Sequence, residues 1–193
     1  MERKITREKF IETALELFHE KGFKATTMRD MAKALQIEAP TLYNYIRSKQ
    51  QLLDDLVFEI AHQFHDGLSD IYASSYSPSE KLQAIVNLNV RLTTAHPYQV
   101  ALLVGDWKHL KEDRQKEFLD NRGAYEEMVR SIIQEGMDSC ELRSMELEVA
   151  TYSFLSSIRW LFSWYIAQND AVNPVELEKQ MADFILKGMQ NNR

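Results

Sequence analysis

The chain has 193 residues, 45% of them hydrophobic, with only 6 glycines and 4 prolines, which excludes a disordered or low-complexity protein and leaves enough apolar side chain for one large or two small cores. A single cysteine, Cys140, cannot close an internal disulfide, and no apolar run approaches the roughly 20 residues of a membrane span. The net charge of −6 argues against a polyanionic partner for the chain as a whole, yet residues 1–53 carry ten Lys and Arg against seven Asp and Glu, whereas residues 54–193 carry thirteen against twenty-two. That asymmetry predicts a small module facing a polyanion and a larger one with another task. The N-terminus is charged from Glu2 and lacks the apolar stretch of a signal peptide, so a reducing cytoplasm is the expected compartment.

Apolar residues recur at three and four almost throughout, predicting helices. Ile11, Leu15 and Phe18 form one stripe, closed by Gly22. A second helix follows "TTMRD", with Thr27 as N-cap, Asp30 three residues on, and Met28, Met31, Ala32 and Leu35 on its inner face. After the turn "QIEA", Pro40 suits the first turn of a third helix ending near Arg47. Ser48 and Gln51 have the spacing of a capping box for a fourth, whose face is Leu52, Leu56, Val57, Ile60 and Phe64. Beyond the turn cluster "SSYSPSE" the pattern predicts helices near 79–95, 97–104 and 112–137, an apolar one over 146–168, and a last one over 174–189 opened by Asn173-Pro174. The sum is an all-α protein of about nine helices, divided into residues 1–53 and 54–193.

Two short helices joined by a four-residue turn and braced on either side have the helix-turn-helix pattern, whose second helix would enter a major groove. In "TLYNYIRSK", Leu42 and Ile46 anchor that helix, leaving Thr41, Asn44 and the hydroxyls of Tyr43 and Tyr45 to face outward. Short donors and acceptors suit base edges and phosphates, and asparagine can pair bidentately with adenine. Lys49, in the first turn of the next helix, opposes the helix dipole unless it shares a phosphate with the free N–H groups there; otherwise it is a solvated surface cation.

The stretch from Thr6 to Leu53, above all "ALELFHEKGFKATTMRDMA" and "TLYNYIRSK", resembles the DNA-binding domain of the TetR family of transcriptional repressors. The resemblance implies double-stranded operator DNA as partner. It gives Thr27, Tyr43 and Lys49 as phosphate-contacting positions and Ala39, Pro40, Thr41 and Asn44 as base-reading ones. Arg29 and Tyr45 complete the candidate DNA-binding set. The family's turn glycine is Gln36 here, which would have to adopt a left-handed conformation. Its usual serine and lysine are Glu38 and Ala39, a poorer cap and a changed reading surface, so operator sequence does not transfer.

The larger half carries Phe154, Leu155, Ile158, Trp160, Leu161, Phe162, Trp164 and Tyr165 around all sides of one helix, which predicts burial inside the domain and against a second copy. Leu177, Met181, Phe184 and Ile185 line one face of the last helix, and together the two suggest a four-helix homodimer bundle, as in TetR-type dimers. Residues 98–107, 125–137 and 154–165 are rich in aromatics and methionines suited to an apolar ligand. The candidate ligand-binding residues are Trp107, Arg122, Tyr125, Met128, Phe154, Arg159, Trp160 and Trp164, with Lys108 and His109 as further cations. Arg159, on an otherwise apolar helix, either meets a ligand headgroup or pairs with a carboxylate such as Glu126 or Asp106. The stretches "RGAYEEMVRSIIQEGMDS" and "SFLSSIRWLFSWY" resemble acyl-CoA-responsive TetR members, implying a fatty acyl or related thioester as inducer. The glycine usual after the long helix is replaced around Ser139-Cys140.

Other classes find less in the sequence. His62 and His65, at i,i+3 with Asp66 beside them, are the one pair from which a helical enzyme or metal-binding protein could start, but zinc ligands more often stand at i,i+4 with a distant third. Cys140 lies between Asp138 and Glu141, which disfavour a thiolate redox sensor. There is no glycine-rich phosphate loop. No cofactor, metal or membrane is expected.

Overall fold

The computed structural model describes residues 5–168 and 172–191; the charged residues 2–4, which argued against a leader, lie outside them. Among the described residues there are nine α-helices, two short 3-10 helices and no strand. The first helix, α1 (Arg7–Lys21), is capped by Thr6, whose hydroxyl accepts from the Lys9 N–H, and closes at Gly22 with φ 83°. In α2 (Met28–Leu35) the capping box is complete: Thr27 and Asp30 satisfy each other's backbone N–H. Gln36 ends it in the left-handed conformation, φ 56°, as the missing glycine requires. The third element is not an α-helix but a 3-10 helix, Ala39–Asn44. Glu38 gives it no side-chain cap and Pro40 stands in its first turn, so six residues close as i,i+3 turns.

The long α3 (Lys49–Ala73) follows. Only half of its expected capping box forms: Ser48 Oγ accepts from the Gln51 N–H, while the Gln51 amide turns to Asp55. Next come α4 (Pro78–Ala95), α5 (Pro97–Gly105), the 3-10 turn Trp107–His109 and α6 (Glu112–Asp138). After α6, Cys140 takes φ 60°, the second left-handed non-glycine residue. The apolar run then breaks into α7 (Leu147–Arg159) and α8 (Leu161–Ala167). Polar side chains take the ladder's carbonyls there: the Trp160 indole N–H donates to Ser157 O, and Ser163 Oγ donates to Trp160 O. The last helix, α9 (Pro174–Lys187), is capped by Asn173.

Contacts divide the chain into two compact units. The first comprises Met1–Ile60 and Tyr98–Gln115, and the second Ala61–Pro97 and Lys116–Arg193. The first thus takes in a segment that a boundary at residue 53 leaves with the larger half. The reason is tertiary: the His109 ring stacks on Phe23 at 5.8 Å, the Arg114 guanidinium lies 3.7 Å over the Phe58 ring, and Gln50 Nε2 donates to His109 O at 3.0 Å. No local periodicity announces such pairs. The core of this unit includes Phe10, Phe18, Met31, Leu42, Leu53 and Leu56, all buried.

The second unit has its own core, in which Leu82, Ile85, Val129, Ile132, Phe154 and Ile185 are fully or almost fully buried. Gly136 is required by close approach, since a Cβ there would meet Leu142 at 2.7 Å and Pro78 Cβ at 3.1 Å. The expected all-round burial of the aromatic run does not hold within one subunit. Val149 is 64% exposed, Tyr152 and Trp160 47% each, and on α9 Val175 reaches 59% and Phe184 81%. Phe184 therefore leaves the buried face that Leu177, Met181 and Ile185 form.

Candidate nucleic-acid interface

The 3-10 helix is held from behind by Leu42, which is fully buried, and its outer side is polar. Tyr43 is 63% exposed, Pro40 and Asn44 are exposed, and Ala39 and Thr41 are partly so. Among the described residues, the side chains of Thr41, Tyr43 and Asn44 make no hydrogen bond, so their donors and acceptors are uncommitted in the isolated chain. Arg29 on α2 and Arg47 after the 3-10 helix are likewise exposed.

Three expected contacts have other partners. Tyr45 points inward: its hydroxyl donates to Ile5 O at 2.7 Å and its ring stacks on Phe10 at 5.6 Å, tying the 3-10 helix to the start of α1. It stands two positions after Tyr43, and a helix of about three residues per turn points such neighbours apart. The Thr27 hydroxyl accepts from the Asp30 N–H and donates to Asp30 Oδ2 at 2.6 Å. Asp30 also takes Lys21 Nζ at 2.9 Å, and hydrogen bonds from Thr27, then Lys21, hold its carboxyl well below the usual carboxylate range.

Lys49 is the most engaged of the expected phosphate-contacting residues. Its ammonium donates to Phe23 O and Thr26 O at 2.7 Å each and to Lys24 O at 3.3 Å, and lies 4.5 Å over the Phe23 ring. The turn between α1 and α2 leaves these carbonyls without helical partners, and an ammonium has three donors to offer. Burial lowers the lysine's pKa from its ordinary value. The residue that opposes the dipole of α3 is a tie between the head of α3 and that turn.

The candidate ligand residues fall in both units. Trp107 stands partly buried in the 3-10 turn of the first. In the second, Phe154 belongs to the core, with Tyr125, Met128 and Trp164 packed against it. Arg122 is exposed and its Nε lies 3.6 Å from Glu126 Oε1. Arg159 is exposed as well, so water solvates the cation that a buried position would have forced into a pair. Its two suggested partners are engaged elsewhere, Glu126 by Arg122 and Asp106 by His109 at 3.6 Å. Trp160 is exposed, edge-on to Trp164 at 5.8 Å. Asn89, absent from the expected set, faces Tyr125 from α4; it is one of two amides, with Asn87, within the otherwise apolar "IVNLNV". His65 Nδ1 lies 3.5 Å from Ser69 Oγ, and among the described residues no three His, Cys, Asp or Glu converge as a metal would need. No described helix is long and apolar enough to cross a membrane.

A short polar helix braced by α1, α2 and α3 defines the class of helix-turn-helix regulators. The model for bacterial regulatory proteins of the tetR family matches residues 10–56, and that for the tetracyclin repressor-like C-terminal domain matches residues 75–189, more than half of the chain. The repressor KstR2 of Rhodococcus jostii is 25% identical over 185 residues, covering 95% of this chain and 90% of that protein. The ketosteroid transcriptional regulator KstR2 of Mycobacterium tuberculosis superposes with a TM-score of 0.89 at 21% identity, over 99% of this chain and 98% of that one. AibR in complex with isovaleryl coenzyme A and operator DNA superposes at 0.77 with 20% identity, over 95% and 97%. The chain belongs to the TetR family. It is a ligand-responsive transcriptional regulator and not an enzyme.

Proposed function

We propose that the protein works as a homodimeric repressor in the cytoplasm, placing residues 39–44 of each subunit in successive major grooves of a palindromic operator. The observation that carries this is the outward set Thr41, Tyr43 and Asn44, uncommitted among the described residues and backed by a fully buried Leu42. Asn44 and Thr41, with Ala39 and Pro40, read base edges, while Tyr43, Arg29 and Arg47 meet phosphates. Thr27 and Lys49 act by holding α2 and the turn before it in place. The exposed Val149, Tyr152, Trp160, Val175 and Phe184 support a second copy as the cover of that apolar side. Dimerisation would set the two heads at about 34–36 Å, one turn of duplex.

The second unit would hold an apolar inducer. KstR2 is described as a ketosteroid regulator and AibR binds isovaleryl coenzyme A; an acyl thioester or a comparable carbonyl compound is the class they suggest here. Binding would shift the population away from a head spacing the operator accepts.

Selection of duplexes from a random pool, followed by anisotropy titration of the winner, tests the reading. Affinity should fall steeply with salt, by about 0.9 log units per log unit of salt for each phosphate neutralised. Asn44→Ala should weaken binding about tenfold or more and relax preference at one base pair per half-site. A pool that yields no enriched palindrome would overturn the assignment.

A further inference from the structure

In the second unit the half-buried Asn89 and Tyr125 form a polar pair at the edge of the apolar packing. Asn89 on α4 gives an amide proton to Ile85 O at 2.8 Å, and because a carbonyl only accepts, this fixes which end of the amide is nitrogen. The same nitrogen then approaches the Tyr125 hydroxyl at 3.5 Å, the outer limit of a hydrogen bond, with the phenol oxygen as acceptor. Among the described residues the phenol's own proton has no acceptor. Burial of the hydroxyl pushes its pKa up to about 12, so it stays neutral and protonated at any physiological pH. Tyr125 is half-buried, and a hydroxyl with one long bond and an unplaced proton is open to completion by water or by a bound group. Residues around it are of the kind that bind an apolar body: Tyr125 packs on the same core as Met128, Phe154 and Trp164.

The charge state of the completing group follows from the neighbours. A carboxylate buried here would need a cation, and among the described residues the unit's lysines and arginines are engaged or at the surface. Lys81 Nζ lies 3.8 Å from Glu135, Arg122 pairs with Glu126, Arg130 is held by Glu127 and Glu148, and Arg159 is exposed. We infer that Tyr125, oriented by Asn89, donates its hydroxyl proton to a neutral carbonyl oxygen, that of a thioester or ketone, on an apolar ligand held in the second unit. The inference rests on the reading of this unit as an inducer site and adds which atom of the inducer is recognised.

Two matched pairs of probes test it by calorimetry on the full chain: decanoyl-CoA against S-decyl-CoA, in which a methylene replaces the carbonyl, and androstanone against androstane. Wild type should prefer the carbonyl member of the pair that fits by about tenfold. Tyr125→Phe should bring that preference close to one while leaving affinity for the carbonyl-free member unchanged. Asn89→Leu should lower the preference less, because the phenol remains. The inference is overturned, with the inducer reading intact, if Tyr125→Phe keeps the preference or weakens both members alike. Should wild type bind none of the four compounds, the inducer class falls and the inference with it, while operator binding, measured separately, stands.

Discussion

The reading helix, residues 39–44, and the aromatic run, residues 147–167, both turn outward side chains for which the lone chain has no use, but they differ in kind. On the first these are polar, and water satisfies Thr41, Tyr43 and Asn44 at no cost until a duplex replaces it. On the second they are apolar, and Val149, Tyr152 and Trp160 stay unfavourably hydrated until another surface covers them. A groove-reading head can therefore be stable and idle, whereas the aromatic region is incomplete alone. In the proposed function the head would be specific because its contacts are few and directional, and the aromatic region would associate because its contacts are many and not directional.

The largest test of that contrast is Phe184→Asp. A charge on the proposed self-association surface should weaken dimerisation about a hundredfold or more, read by sedimentation, with each subunit still folded. Unchanged association would show that the exposed α9 face is not where copies meet. Next in size is Lys49→Ala. Losing the ammonium's carbonyl contacts should lower unfolding free energy by about 2–3 kcal/mol in urea titrations. A lysine that served only a phosphate would leave the midpoint unmoved and reduce the salt slope of operator binding by about 1 instead.

Smaller effects separate the two tyrosines of the head. Tyr45→Phe should cost about 1 kcal/mol of stability by deleting the bond to Ile5 O, whereas Tyr43→Phe should leave stability unchanged and weaken operator binding only. Equal stability losses would mean that Tyr43 is packed rather than presented. Smallest is a pH effect at His109. Burial first, and then Lys24, hold this imidazole below its ordinary pKa of 6.5. The unfolded chain then takes up the proton more readily, so stability is full above pH 6.5 and declines as pH falls from there toward the folded value. A slight drop in Tm between about pH 7 and pH 5.5, absent in His109→Gln, is the expected result.

What could be read from sequence was whatever a few neighbouring residues decide. The cap at Thr27, the stop at Gly22 and the left-handed Gln36 are local features, each visible within four residues. The direction of Tyr43 was likewise legible from Leu42 and the helical period. Tyr45 was not: its partner Ile5 lies forty positions away in sequence, so a hydroxyl that looked available was already engaged. Lys49 shows the same limit, because carbonyls of a turn carry no mark in the sequence. In the second unit the sequence reading gave the whole aromatic run one role, burial on every side. Phe154 sits in the core and Trp160 in water, and the helix breaks at Trp160, whose indole N–H donates to Ser157 O while Ser163 Oγ donates to Trp160 O. The Asn89–Tyr125 pair required two helices to be brought side by side before either residue meant anything.

The uncovered apolar side has a quantitative consequence for control. If a subunit must find its copy before two heads can span an operator, occupancy at low abundance varies roughly as the square of the amount of chain made. Halving synthesis would then empty about three-quarters of the sites that a scarce regulator fills, so a modest change in expression could relieve transcription as surely as an inducer does.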